Sequence, residues 1–119
     1  MRAGIAALPM YDWPELRPAT DGLWAAVRDG LRARGVAAPD GLSREVGLMA
    51  GWTDPGLVLG QTCGLPFVQA LAGRVELVGA VDHALEGCPP GWYRSAVVVR
   101  ADDPRETLAA FRGGRLDRK

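Results

Sequence analysis

Leu57-Val58-Leu59-Gly60-Gln61, then Thr62-Cys63-Gly64, then Leu65-Pro66-Phe67-Val68-Gln69-Ala70-Leu71-Ala72, passes from a short apolar run through a small-residue turn into a helical stretch. A brief, continuous apolar run bounded by turn residues suits a strand buried on both faces, as in parallel sheets. Pro66 sits near the start of the following helix and Gly73 just past its end, the positions where each residue is tolerated best. A strand turning directly into a helix is the repeating unit of α/β proteins.

Toward the N-terminus the same pattern recurs. Gly4-Ile5-Ala6-Ala7-Leu8, closed by Pro9, reads as the first strand. Asp12-Trp13-Pro14-Glu15 reads as a capped helix start, with Asp12 accepting from orphan amide hydrogens. Leu16, Leu23, Trp24, Val27 and Leu31 follow at near-helical spacing until Gly35 stops the run, and Pro18 is expected to kink the first turns. Pro39, Asp40 and Gly41 interrupt Val36 to Ser43, leaving at most a short edge strand. Ser43-Arg44-Glu45-Val46 is expected to open a second helix with Leu48, Met49 and Trp52 as its apolar face, ended by Asp54-Pro55-Gly56.

Toward the C-terminus, Val75 to Val81 reads as a further strand and Asp82 to Trp92 as a loop. Tyr93-Arg94-Ser95-Ala96-Val97-Val98-Val99-Arg100 carries the strongest β-branched signal in the chain. Asp102-Asp103-Pro104 is expected to cap a last helix through Leu108 and Phe111, ended by Gly113-Gly114. The expected fold is α/β: a three-layer lobe with a mostly parallel sheet of about four to five strands and helices on both faces. Residues 1–101 form this lobe, and 102–119 the last helix and the start of a crossover.

Composition narrows the function classes. At 119 residues the chain is the size of one domain. Fourteen basic and fourteen acidic residues leave no basic excess to attract nucleic acid. An apolar content of 48%, with 16 Gly and 9 Pro, indicates a globular chain with many turns. No run approaches the roughly 20 apolar residues of a membrane span. The start, Met1 to Pro9, lacks an apolar segment adequate for a secretion signal before Asp12 and Glu15. The location reads as cytoplasmic unless a leader precedes this sequence.

Enzyme chemistry finds little support. His83 is the only histidine, and it lies in a loop between Asp82 and Glu86, where a solvated surface group is the ordinary reading. Glycine-rich phosphate motifs are absent. Cys63 and Cys88, the only cysteines, have neither zinc-site nor Cys-x-x-Cys spacing. The chain is therefore read as non-enzymatic, with no cofactor and no metal. Three polar clusters lie at strand ends, where open α/β sheets place ligands. Tyr11, in Met10-Tyr11-Asp12, offers either a ligand contact or a core-edge aromatic. Thr62-Cys63-Gly64 offers either backbone and hydroxyl donors for an anion or an ordinary helix cap. Tyr93 and Ser95, flanking Arg94, offer either oxyanion donors or solvated strand residues.

Leu8-Pro9-Met10-Tyr11-Asp12, Leu59-Gly60-Gln61-Thr62-Cys63-Gly64-Leu65-Pro66 and Tyr93 to Arg100, in that order, together resemble the substrate-binding components of phosphate/phosphonate ABC transporters. The segment from Asp102 to Leu116 resembles the passage of such proteins into their second lobe. The resemblance implies lobe 1 of a type-II periplasmic-binding fold, a periplasmic location and an ABC permease as partner. It implies a small oxyanion or organic solute as ligand, with Tyr11, Thr62, Cys63, Gly64, Tyr93 and Ser95 facing it. Asp117-Arg118-Lys119 stands where the family continues into its second lobe, so the sequence is read as a first lobe only. The alternative function is a one-lobed interaction or regulatory module that dimerises or docks through the surface a second lobe would cover.

Two geometric expectations follow. Met10-Tyr11 and Thr62-Cys63-Gly64 should be neighbours, because both leave the carboxyl ends of parallel strands. Cys63 and Cys88 either form a disulfide across this edge, closing a loop of about 25 residues worth about 3 kcal/mol, or remain two unrelated thiols.

Overall fold

Ile5 and Ala6 are buried, at 7% and 0% exposure. The computed structural model describes residues 4–115, so the readings at Met1 to Ala3 and from Leu116 to Lys119 lie outside the described residues. The chain divides into two units, Met1–Val78 and Gly79–Lys119.

In the first unit, β1 (Ile5–Ala7) pairs in parallel with β2 (Leu57–Gly60), with Ile5 opposite Leu57, Ala6 opposite Leu59 and Ala7 opposite Gly60. The register slips between Ile5 and Ala6. Ile5 N–H donates to Gly56 O at 2.8 Å, and Gln61 N–H to Ala7 O at 3.0 Å, extending the ladder past both strand ends. Gly4 is needed where the strands converge: a Cβ there would lie 2.5 Å from Val58 Cγ2. On the far edge of β1, Ser43 N–H donates to Ala6 O at 2.7 Å. That bond stands in place of the edge strand expected over Val36 to Ser43.

Helix α1 (Arg17–Ala33) follows a single 3-10 turn, Pro14–Leu16. Pro18 falls in the first turn of α1, where its missing N–H costs no hydrogen bond. The helix ends as Gly35 predicts. Gly35 has φ of 78°, its N–H donates to Arg32 O, and Val36 N–H donates to Leu31 O, both at 3.0 Å. These paired bonds form a Schellman motif. Trp24 faces inward at 1% exposure, and its indole N–H reaches Pro39 O at 3.2 Å, so a large apolar surface is buried without an orphan donor.

Helix α2 (Leu48–Trp52) is shorter than the residues suggest and starts later than Ser43. Ser43 is committed to Ala6, and Arg44 turns away to an acidic partner, so neither serves a helix start. Of the expected apolar face only Trp52 is buried, and its indole N–H donates to Gln61 O at 3.0 Å; Leu48 and Met49 are exposed. After β2, α3 (Gly64–Pro66) continues into a wider π-type turn over Phe67–Leu71, burying Leu71. Gly73, with φ of 78°, follows its end.

The unit is thus mixed helix and strand, with α1 and α2 between two parallel strands. The sheet has two strands among the described residues. Val75 makes only an isolated bridge to Ala72, and the rest of the expected strand to Val81 is unpaired.

In the second unit Tyr93 to Arg100 carries no regular structure among the described residues, and Val97 and Val98 are 75% and 86% exposed. The expected last helix is reduced to a 3-10 turn, Leu108–Phe111, preceded by Thr107. Asp102 and Asp103 do not cap it. They pair with Arg100 and Arg105, both at 2.6 Å, and Asp103 also accepts the Arg105 N–H at 3.0 Å, so both carboxylates are engaged ahead of the 3-10 turn. Arg105 also lies 4.0 Å from the Phe111 ring centroid.

Trp24→Ala should destabilise the protein by about 3–5 kcal/mol in urea unfolding, the usual cost of deleting a buried aromatic. Val98→Thr, at a site 86% exposed, should change stability by less than about 0.5 kcal/mol. Equal effects of the two would show that Trp24 does not anchor the core.

Candidate functional site

Parallel pairing delivers the chain to the same edge twice. Leu8 to Asp12 leaves β1 there, and Gln61 to Gly64 leaves β2. Gln61 Oε1 accepts from Met10 N–H at 3.0 Å, tying two loops 51 residues apart. Cys63 Sγ lies 3.9 Å from Met10 Sδ. The expected neighbourhood of Met10-Tyr11 and Thr62-Cys63 is therefore present.

Tyr11 is half exposed and takes φ of 61°, a left-handed conformation that few non-glycine residues adopt. Such conformations collect at ligand sites, where surrounding structure holds them. Thr62 donates its hydroxyl to Cys63 O at 3.1 Å, so it makes no cap for α3. Cys63 and Gly64 are exposed at the start of that helix, and no atom lies within 4 Å of where a Gly64 Cβ would be. Tyr93 and Ser95 belong to the second unit and are exposed there. Cys63 and Cys88 are both free thiols, so the disulfide weighed from the sequence is not formed.

Asp12 does not cap a helix. Its carboxylate receives Arg44 in a two-pronged bond, Nε to Oδ2 at 2.7 Å and Nη2 to Oδ1 at 3.1 Å. Arg44 Nη2 also reaches Asp21 at 2.8 Å. Thr20 Oγ1 lies 2.8 Å from Asp12 Oδ1 and 2.9 Å from Leu16 O, and its single proton serves one at a time. The Arg44 guanidinium holds the Asp12 carboxyl below its ordinary value of 3.8, against the opposing effect of burial. The two carboxylates in turn hold the Arg44 proton more firmly than usual.

Beside this pair a cavity of about 240 Å³ opens at the carboxyl end of β1, lined in part by Asp12, Arg17, Ser43 and Arg44. Arg17, Ser43 and Arg44 escaped the sequence reading because Asp12 and Arg44 are 32 residues apart and no local spacing links them. Gln61 was legible only as part of a motif. Among the described residues no group of three His, Cys, Asp or Glu is arranged to hold a metal. His83 is exposed beside Asp82, whose carboxylate accepts Ala84 N–H at 2.9 Å.

Comparison with protein-family models gives no match, and neither curated proteins nor solved structures give one.

Arg44→Met should cost about 1–3 kcal/mol, because Asp12, with its side chain 12% exposed, loses its charged donor. The sign with pH follows from the lowered folded-state value: the unfolded chain binds the proton first, so the pair's contribution is complete above pH 3.8 and fades as pH falls through the folded value. The stability gap between wild type and Arg44→Met, measured by denaturant unfolding, should narrow on acidification below that point. A gap independent of pH would show that the ion pair is not its source.

Proposed function

We propose that this chain is a solute-binding lobe of the ABC-transporter type, which captures phosphate, a phosphonate or a related small oxyanion and performs no chemistry. The observation that carries this reading is the junction of two strand-end loops through Gln61 and Met10. It gathers Tyr11, Thr62, Cys63 and Gly64 at one sheet edge, where α/β proteins bind ligands. The strained Tyr11 backbone and the exposed start of α3 supply a positioned ring and backbone N–H donors. In this reading the lobe carries about four to five strands, and Tyr93 and Ser95 remain ligand-facing positions by resemblance. The ligand passes to a membrane permease, and the place of action is the periplasm.

The second reading is an interaction module. It rests on Val97, Val98, Leu77 and Val78, apolar residues each more than two-thirds exposed. A β-prone apolar segment without a neighbour is a template for pairing with another chain.

Titration with phosphate and methylphosphonate, followed by thermal shift and calorimetry, tests the first reading. The expected result is a rise in melting temperature with a Kd of about 1 mM, near 4 kcal/mol of binding free energy, weakened severalfold by Thr62→Val. No response at 20-fold higher anion concentration sinks the solute-binding reading. Concentration-dependent dimerisation in sedimentation, abolished by Val98→Lys, would establish the second instead.

A further inference from the structure

The cavity at the carboxyl end of β1 is not lined by Thr62, Cys63 or Gly64, and its charges are unequally served. Arg44 is committed to Asp12 and Asp21. Arg17 also lines the cavity; its backbone N–H donates to Trp13 O at 3.1 Å and its charge acts on Asp12 at a distance, yet among the described residues its guanidinium makes no hydrogen bond or ion pair. It is the first residue of α1, whose first turn holds no acidic residue, so its charge adds to the positive end of the helix dipole. The Ser43 hydroxyl makes no hydrogen bond either, while the Ser43 backbone is held to β1 by its bond to Ala6. A guanidinium and a hydroxyl with donors to spare therefore line the same cavity.

The rest of the lining has a different character. Leu42, Val46 and Leu48 belong to it, and Val46 and Leu48 remain 38% and 56% exposed. A volume near 240 Å³ is just below the roughly 300–1,000 Å³ of drug-sized ligand pockets, which suits a solute of a few carbons.

We propose that this cavity binds a short aliphatic monocarboxylate, with its carboxylate on Arg17 and Ser43 and its chain against Leu42, Val46 and Leu48. The planar fork of a guanidinium matches a carboxylate through two parallel N–H donors. A dianion fits poorly, because Asp12 lines the same cavity and only one cation is unmatched. This site is separate from the strand-end turn proposed for oxyanions, and the two stand or fall independently.

Calorimetry of the full chain at low salt with acetate, propionate, butyrate and valerate tests it, with phosphate and methylphosphonate as parallel arms. Affinity should rise about fourfold per added methylene from acetate to butyrate, the factor corresponding to about 0.8 kcal/mol per buried CH₂. Arg17→Gln should weaken butyrate binding at least tenfold with little change in melting temperature, since its guanidinium makes no hydrogen bond and only a distant charge interaction with Asp12 is lost. Leu48→Asn should flatten the chain-length series. Butyrate binding unaffected by Arg17→Gln, a series with no dependence on chain length, or no carboxylate binding at 20 mM each overturns the assignment. Binding of phosphate without butyrate sinks this site and leaves the oxyanion reading standing; butyrate without phosphate does the reverse.

Discussion

The parallel pairing of Ile5–Ala7 with Leu57–Gly60 is the constraint on which the first unit depends. A parallel pair cannot close with a tight turn, so the intervening chain must cross back, and α1 and α2 are that crossing. The pair admits little change at its entry, where the absence of a side chain at Gly4 lets Val58 come close. Its far edge is served by Ser43, whose bond to Ala6 draws the crossing chain against β1. That draw places Arg44 within reach of Asp12, so the ion pair is a consequence of sheet geometry and not a local preference of either residue.

Much of this was legible in the residues, for physical reasons. The β1 and β2 runs are apolar and bounded by turn formers, and both became strands. Gly35 marked the end of α1 because only a residue free to take positive φ completes the paired terminal bonds found there. Helix starts were read less well. Asp12, Ser43, Asp102 and Asp103 all carry capping chemistry, yet none caps a helix. The three aspartates are paired with arginines, Asp103 accepting an Arg105 amide as well, and Ser43 is held by its backbone against β1. Capping propensity describes what a side chain does when nothing better is near, and partners 32 residues away leave no local mark.

The site followed the same division. That Met10-Tyr11 and Thr62-Cys63 lie together was deducible from strand direction alone. That Gln61 does the joining required knowing which way its amide turns, and strand alternation does not specify that. Arg17 carries no signal that singles it out in the sequence. Its significance lies in a guanidinium without a hydrogen bond among the described residues, and a missing contact has no sequence pattern.

Tyr93 to Arg100 presents the sharpest conflict between local preference and structure. Its three successive valines make it the strongest strand signal in the chain, yet it is unpaired among the described residues, with Val97 and Val98 mostly exposed. The conflict lessens once β propensity is understood as fitness for a pleated, half-buried surface and not as a preference of the backbone itself. Branched side chains stabilise a strand by packing across it, and that packing needs a neighbour on each occupied face. The second unit, with a single short 3-10 turn as its regular structure among the described residues, provides none. Exposed valines with no pairing partner lose the burial that selects for them, while each extended residue still carries its entropic cost. The composition of this segment is therefore that of a surface suited to a neighbouring strand, and its identity as a strand depends on that neighbour more than on its own residues.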